Sequence, residues 1–320
     1  MDTKLLTIGT LVSSLNSPSD QTRLAALRHL RLNSNQDPAT RPLIAAAGAV
    51  PLLAAALYSP SHPIQEHAAA TLLNLSISDR NPLVSCSTLL HALSHLLSRH
   101  SSSSSASAVQ SSAATLHSLL VVVPEYRLIV GANHDVLRAL LGVMSSLGSP
   151  TRSLKDALRA SFGVALHPPN RTVMVRLGVV SALFDLVKRA KKIGIIEDVT
   201  AVIAQIAGCE ESEKEFEKVL GVSVLLGMLG SESGNCSLRT MENAVSGLLN
   251  LVRFGGEKVV GEVRDKVGAL DGIVYVQEHG SAKGKSKAVA LLKFLLDGRS
   301  NNQIEDLYPV QFDSGSSSSG

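Results

Sequence analysis

Tryptophan is absent from these 320 residues, and aromatic side chains make up only 3% of them. Hydrophobic residues still reach 45%, so a core must be filled by Leu, Ala and Val. Side chains of that size let neighbouring helices approach closely, which suits stacked helices. Cysteine is scarce too. Cys86, Cys209 and Cys236 are odd in number and far apart. That excludes a disulfide framework and points to reduced thiols, as in the cytoplasm or nucleus. A formal charge of +3 is small for this length and gives no support to a nucleic-acid partner. No apolar run approaches the roughly 18 residues of a membrane helix. At the N-terminus, Thr7, Gly9 and Thr10 break the run and Asp2 spoils a basic leader. Leu5, Ile8, Leu11, Val12 and Leu15 recur instead at helical spacing.

What is present is repetition. The segment HAAATLLNLSIS, residues 67–78, can be laid over others with Asn74 in a column. The column runs through His29, Asn74, His117, Gly163, Gln205, Asn250 and Lys293, at gaps of 45, 43, 46, 42, 45 and 43 residues. Each lies in a similar apolar helical stretch. A second phrase precedes several of them: GAVPLLAAAL from Gly48, GVVSALFDLV from Gly178, GVSVLLGML from Gly221 and GALDGIVYV from Gly268. Helices repeating at this period predict an all-α fold, an α-solenoid of about seven units. The four glycines predict sharp turns between packed helices, where a positive φ suits Gly.

Along the chain, residues 1–297 read as one array. The first unit pairs a helix over 3–16 with another over 21–32, and lacks the short leading helix, as a terminal cap does. The second unit is the best formed, with helices over 40–47, 50–58 and 64–76. Pro51 falls in a first turn, where its missing N–H costs nothing. The serine-rich loop at 100–107 interrupts the third unit and is expected to be mobile. Residues 298–320 turn to Asn, Asp and Ser and are expected to form a disordered tail.

GAVPLLAAAL followed by QEHAAATLLNLSISDRN resembles an armadillo repeat, and especially those of plant U-box ubiquitin ligases; MENAVSGLLNLV at 241–252 repeats the phrase. The resemblance implies a right-handed superhelix whose third helices line a concave groove for an extended peptide. In that family the third-helix Asn donates to and accepts from the peptide main chain, for which a side-chain amide is suited. By resemblance, Asn74 and Asn250 match it, while His29, His117, Gly163, Gln205 and Lys293 replace it. Arg159, Arg253 and Lys293 line the same face and would favour acidic side chains on the ligand. The Trp residues of nuclear-import adaptors are missing, and no acidic groove residues are evident near the column. A role in reading nuclear-localisation signals is therefore not expected. The repeats begin within a few residues of Met1, leaving no room for a U-box, so ligase activity is not expected either. The implied role is a monomeric binding scaffold for a protein segment, with a substrate-recognition part in ubiquitin ligation as the alternative. No cofactor is expected.

Other motifs carry little. IVYVQEHGSAKGKSKAVALL, residues 273–292, imitates a strand, phosphate loop and helix, but His279 stands where the motif requires Gly. His91 and His95 share a helical face without completing a metal set. The run from Lys188 to Lys192 reads as a basic helix end rather than an import signal, and Glu210–Glu213 as an acidic helix start. No Gly-x-Ser-x-Gly elbow occurs.

Overall fold

The computed structural model describes residues 2–99, 104–229 and 236–297. Every regular element among them is a helix. The first unit contributes α1 (Asp2–Ser14) and α2 (Asp20–Gln36); the latter runs a turn beyond the expected stop, because its cap is Ser19 and its end is Asp37. Three-helix units follow: α3 (Thr40–Ala46), α4 (Ala49–Ala56) and α5 (His62–Ser76); α6 (Asn81–Val84), α7 (Leu89–Ser98) and α8 (Ala106–Val122); α9 (Tyr126–Ala132), α10 (His134–Ser145) and α11 (Thr151–Ala165). The fifth comprises α12 (Pro168–Arg176), α13 (Val179–Arg189) and α14 (Ile193–Ile206). The sixth begins with α15 (Ser212–Lys218) and α16 (Gly221–Gly227). Next, α17 (Leu238–Asp265) joins the third helix of the sixth unit to the first of the seventh, across a kink at Gly256 with φ 54° and ψ −147°. α18 (Ala269–His279) and α19 (Ala282–Asp297) complete the array.

The third helices α2, α5, α8, α11, α14, α17 and α19 pack each on the next, forming one layer. Second helices α4, α7, α10 and α13 do the same behind them. Between the layers a single apolar cluster runs from Ile8 to Leu295. Close approach within the third-helix layer depends on small residues. At Gly163 an added Cβ would stand 2.8 Å from the Cβ of Leu120. That explains a glycine inside a helix, where it otherwise costs about 1 kcal/mol against Ala.

Turn glycines fall as expected at three of four positions. Gly48, Gly178 and Gly268 hold φ of 80°, 85° and 77°. The fourth expectation is corrected: in the sixth unit the left-handed residue is Leu220, at φ 53°, and Gly221 is already helical. Gly221 is small for another reason. A Cβ there would lie 2.8 Å from the Phe216 ring and 3.1 Å from Phe184, which meet edge-to-face at 5.3 Å.

An arginine on the first helix ties several units together. Nε of Arg41, Arg127 and Arg171 donates at 2.8 Å to the carbonyls of Ser34, Leu120 and Ala165, at the ends of the preceding third helices. Those carbonyls lack helical partners, so a cation there is doubly favourable. Of the serine-rich loop, 100–103 lie outside the described residues, and Ser104 and Ser105 are held in place. Ser104 donates to Leu96 O at 3.0 Å; buried Ser105 caps α8 and donates to Glu66. The expected tail at 298–320 lies outside the described residues.

A candidate binding groove on the third helices

The aligned column falls on one face of the third-helix layer, but its polar groups are partly turned inward. Asn74 Nδ2 donates to Ser34 Oγ at 3.0 Å, and Asn250 Nδ2 to the carbonyl of Ala204 at 2.8 Å. In both cases the acceptor lies on the preceding third helix. Each amide nitrogen carries a second N–H beyond these bonds. The two asparagines therefore brace adjacent repeats. Gln205 Oε1 accepts from Arg171 Nη2 at 3.2 Å, and Arg171 Nη1 donates to Gly208 O at 3.1 Å. At either end of the column, His29 and Lys293 are exposed.

In the middle, His117 is half-buried, and its Nδ1 has no hydrogen-bond partner among the described residues. Burial lowers its pKa first, with the Arg159 charge adding to that, while Asp156 and Asp198 oppose. Arg159 stands 3.7 Å from Asp156 and 3.8 Å from Asp198; Lys155 stands 3.7 Å from Asp198. Gln110 donates to Asp156 at 2.8 Å. Asp198 is 10% exposed, and desolvation raises its pKa despite those cations. The expectation that the groove lacks acidic residues is thus corrected. Asp156, Glu197, Asp198 and Glu242 lie about two turns before the column, one stack further along the same helices, where a search limited to the column misses them.

Toward the C-terminal end the balance reverses. Lys287 on α19 donates to Ser246 Oγ on α17 at 2.9 Å. Its pKa is pushed down to about 8, by burial first and then by Lys283, Arg253 and Arg171; Glu242 alone pulls it up. Arg253 is open at the surface, yet its neighbours desolvate it enough to lower its pKa. Sequence reasoning named Arg253 and missed Lys287 and Arg171, since neither occupies the column.

The other motifs settle simply. The stretch imitating a phosphate loop is helix, turn and helix, α18 to α19. His95 packs on Tyr58 with ring centres 4.6 Å apart, and no cluster of metal-binding side chains exists among the described residues. Arg189 donates to the carbonyls of Met144 and Ser146, and Lys192 to Thr151 Oγ1, linking adjacent units. Glu211 stands just before α15, and its carboxylate accepts from Thr172 and Arg176 on α12. No helix among the described residues is long and apolar enough to cross a membrane.

Seven stacked helical units with a continuous third-helix face define an armadillo-type solenoid. Known proteins agree. Residues 7–307 match the plant U-box protein ARM repeat region, and the chain belongs to that family. It is 29% identical over 266 residues to U-box domain-containing protein 16 of Arabidopsis thaliana, covering 83% of this chain and 38% of that one. With U-box domain-containing protein 17 of the same plant it shares 30% over 295 residues, covering 90% and 38%. The chain thus spans about two fifths of the length of these relatives. Among solved structures, an engineered protein superposes with a TM-score of 0.75 at 20% identity, over 90% of this chain and 68% of that one. Computationally designed armadillo repeat proteins for modular peptide recognition superpose at 0.51 and 19% identity, over 89% and 98%. At such identities the likeness is one of fold.

Proposed function

We propose that this chain is a monomeric, non-catalytic scaffold that holds an extended protein segment along its third-helix face. Contacts would come from His29, Asn74, His117, Arg159, Gln205, Asn250, Arg253 and Lys293. The observation carrying this reading is the unbroken third-helix layer, with a column of half-buried amides and imidazole along it. Such a surface offers paired donors and acceptors at the spacing of stacked helices, which fits a repeating main chain better than a compact ligand. The designed armadillo proteins bearing the peptide-recognition title lend support by analogy of fold.

The test uses binders selected from a random-peptide phage library, measured against the chain and its Asn74→Ala/Asn250→Ala variant. We expect about a tenfold loss of affinity or more. Each substitution also removes a bond to the neighbouring repeat, worth about 1 kcal/mol of stability. Affinity is therefore compared well below both melting temperatures. Unchanged affinity would show that the segment lies elsewhere.

A second reading draws on the relatives, both of which carry a U-box in their names. In it the scaffold selects substrates for ubiquitin ligation. Ubiquitin transfer onto a captured protein only when a U-box ligase is added would support that role. Transfer by this chain with a conjugating enzyme alone would make it a ligase itself.

A further inference from the structure

A second row of residues runs beside the polar column. One turn further along the same helices stand Leu32 on α2, Ile77 at the end of α5, Val121 on α8, Phe254 on α17 and Leu296 on α19. Residues three or four apart share a helical face, so this row follows the column from unit to unit. Each of the five is between 45% and 77% exposed. Exposed apolar side chains scattered singly are common and mean little; one per unit at the same place makes a surface. In the fourth unit the place falls to half-buried Leu166. In the fifth it falls to Gly208, where an added Cβ would meet Arg171 and Asn250.

The row is widest at the third unit. Ser118 on α8 donates to the Ser76 carbonyl at 3.0 Å, so Ile77 follows a residue docked on the helix that carries Val121 and Val122. Arg127 on α9 donates to the carbonyls of Leu120 and Val121 at 2.8 and 3.4 Å, which sets its neighbours Leu128 and Ile129 near the same helix end. Val122, Leu128 and Ile129 are each about half exposed.

Charge selects the kind of partner this row takes. Arg28 precedes Leu32 by one turn on α2, and Lys293 precedes Leu296 by one turn on α19. Both are exposed, and neither has an ion pair or hydrogen bond among the described residues. Between them, Lys155 and Arg159 already have Asp156 and Asp198 at 3.7 to 3.8 Å. Unanswered cations thus stand at the two ends of the row, where carboxylates complement them. We propose that the row seats bulky apolar side chains of an extended partner segment that carries acidic residues at its ends. The proposal rests on the third-helix face being the segment's site, and it names the chemistry that site selects. An extended chain points alternate side chains to one side. With its main chain on Asn74 and Asn250, one set would turn to the row and the other to solvent.

The experiment uses degenerate dodecapeptide libraries of three kinds. The first has Leu or Phe at alternate positions and Glu at both ends; the second replaces Leu and Phe by Ala; the third replaces Glu by Lys. Binding is measured to the chain, to Ile77→Thr/Val121→Thr and to Asn74→Ala/Asn250→Ala. The Leu/Phe library should bind about tenfold or more tightly than the Ala library, because several half-exposed side chains are covered at once. Ile77→Thr/Val121→Thr should lose most of that preference. Both positions are half exposed and Thr keeps the branch at Cβ, so the melting temperature should shift little. Lys ends should weaken binding about threefold at low salt, and by less at high salt. Equal binding of the Leu/Phe and Ala libraries, both lost in the Asn variant, would overturn the apolar row and leave the groove reading standing. A Leu/Phe preference that survives Ile77→Thr/Val121→Thr would overturn the row as well. Glu and Lys ends binding alike at low salt would overturn the acidic ends. If no library binds the chain, both readings fail. Self-association of the chain, abolished by the same two substitutions, would overturn the proposal in favour of a second copy as the occupant.

Discussion

The middle of the solenoid and its C-terminal third are built from the same kind of unit and treat charge in opposite ways. Around α11 and α14, Lys155 and Arg159 face Asp156 and Asp198, so each charge lies near its opposite. Around α17 and α19, Lys287 feels the like charges of Lys283, Arg253 and Arg171, with Glu242 the counter-charge acting on it among the described residues. Backbone strain is local to one turn, since the seventh unit turns on Gly268 at φ 77°. The fifth unit turns on a glycine at φ 85°, the sixth on Leu220 at φ 53°. Matched charge and relaxed turns serve stacking, whereas mismatched charge and a forced turn each cost stability.

Substitutions can break that contrast. The largest effect is expected from Asp198→Ala, which removes the carboxylate beside Lys155 and leaves Arg159 with Asp156 alone. Denaturant unfolding should show a loss of about 2 kcal/mol, reduced from the usual cost of orphaning a buried pair because Arg159 is 45% exposed. If stability were unchanged, the middle would be no better matched than the end. Lys287→Met should act the other way and raise stability at pH 7 by about 1–2 kcal/mol. Its folded pKa of about 8 is below the ordinary 10.5. The wild type therefore carries the full cost of charging below pH 8 and sheds it as pH rises through about 10.5, where the two proteins should converge. Leu220→Gly should add about 1 kcal/mol, because the left-handed conformation costs a side-chain-bearing residue about that much, and Leu220 is 69% exposed. A fall in melting temperature would mean that Leu220 packs usefully. The smallest effect concerns His117, whose pKa is lowered by burial. The stability linked to it is complete above pH 6.5 and declines as pH falls through its folded pKa. His117→Gln should flatten the acid limb of a thermal-melt pH series between pH 7 and 5.

How much of this was legible in the sequence follows from the range of each interaction. Period and helix faces are local, so the seven units, the third-helix column and the left-handed turns at Gly48, Gly178 and Gly268 could be read directly. Leu220 and Gly221 show where that reading stops. A glycine at a turn and a glycine under two phenylalanine rings look alike in one dimension. The column positions of Asn74 and Asn250 were legible, whereas their bonds to Ser34 and Ala204 depend on how adjacent units dock, 40 and 46 residues apart. Lys287 was hidden for the same reason. Its sequence neighbours Lys283 and Lys285 suggest a solvated end, and only the packing of α17 against α19 makes it a half-buried cation.

Arg171 has a consequence for how the molecule comes apart. One guanidinium closes the carbonyl ends of both α11 and α14, so neither end can fray without loosening its neighbour's. Linear arrays of modules are free in principle to melt piecemeal from a terminus. A shared clasp of this kind penalises the boundary between folded and unfolded modules and widens the stretch that must open together.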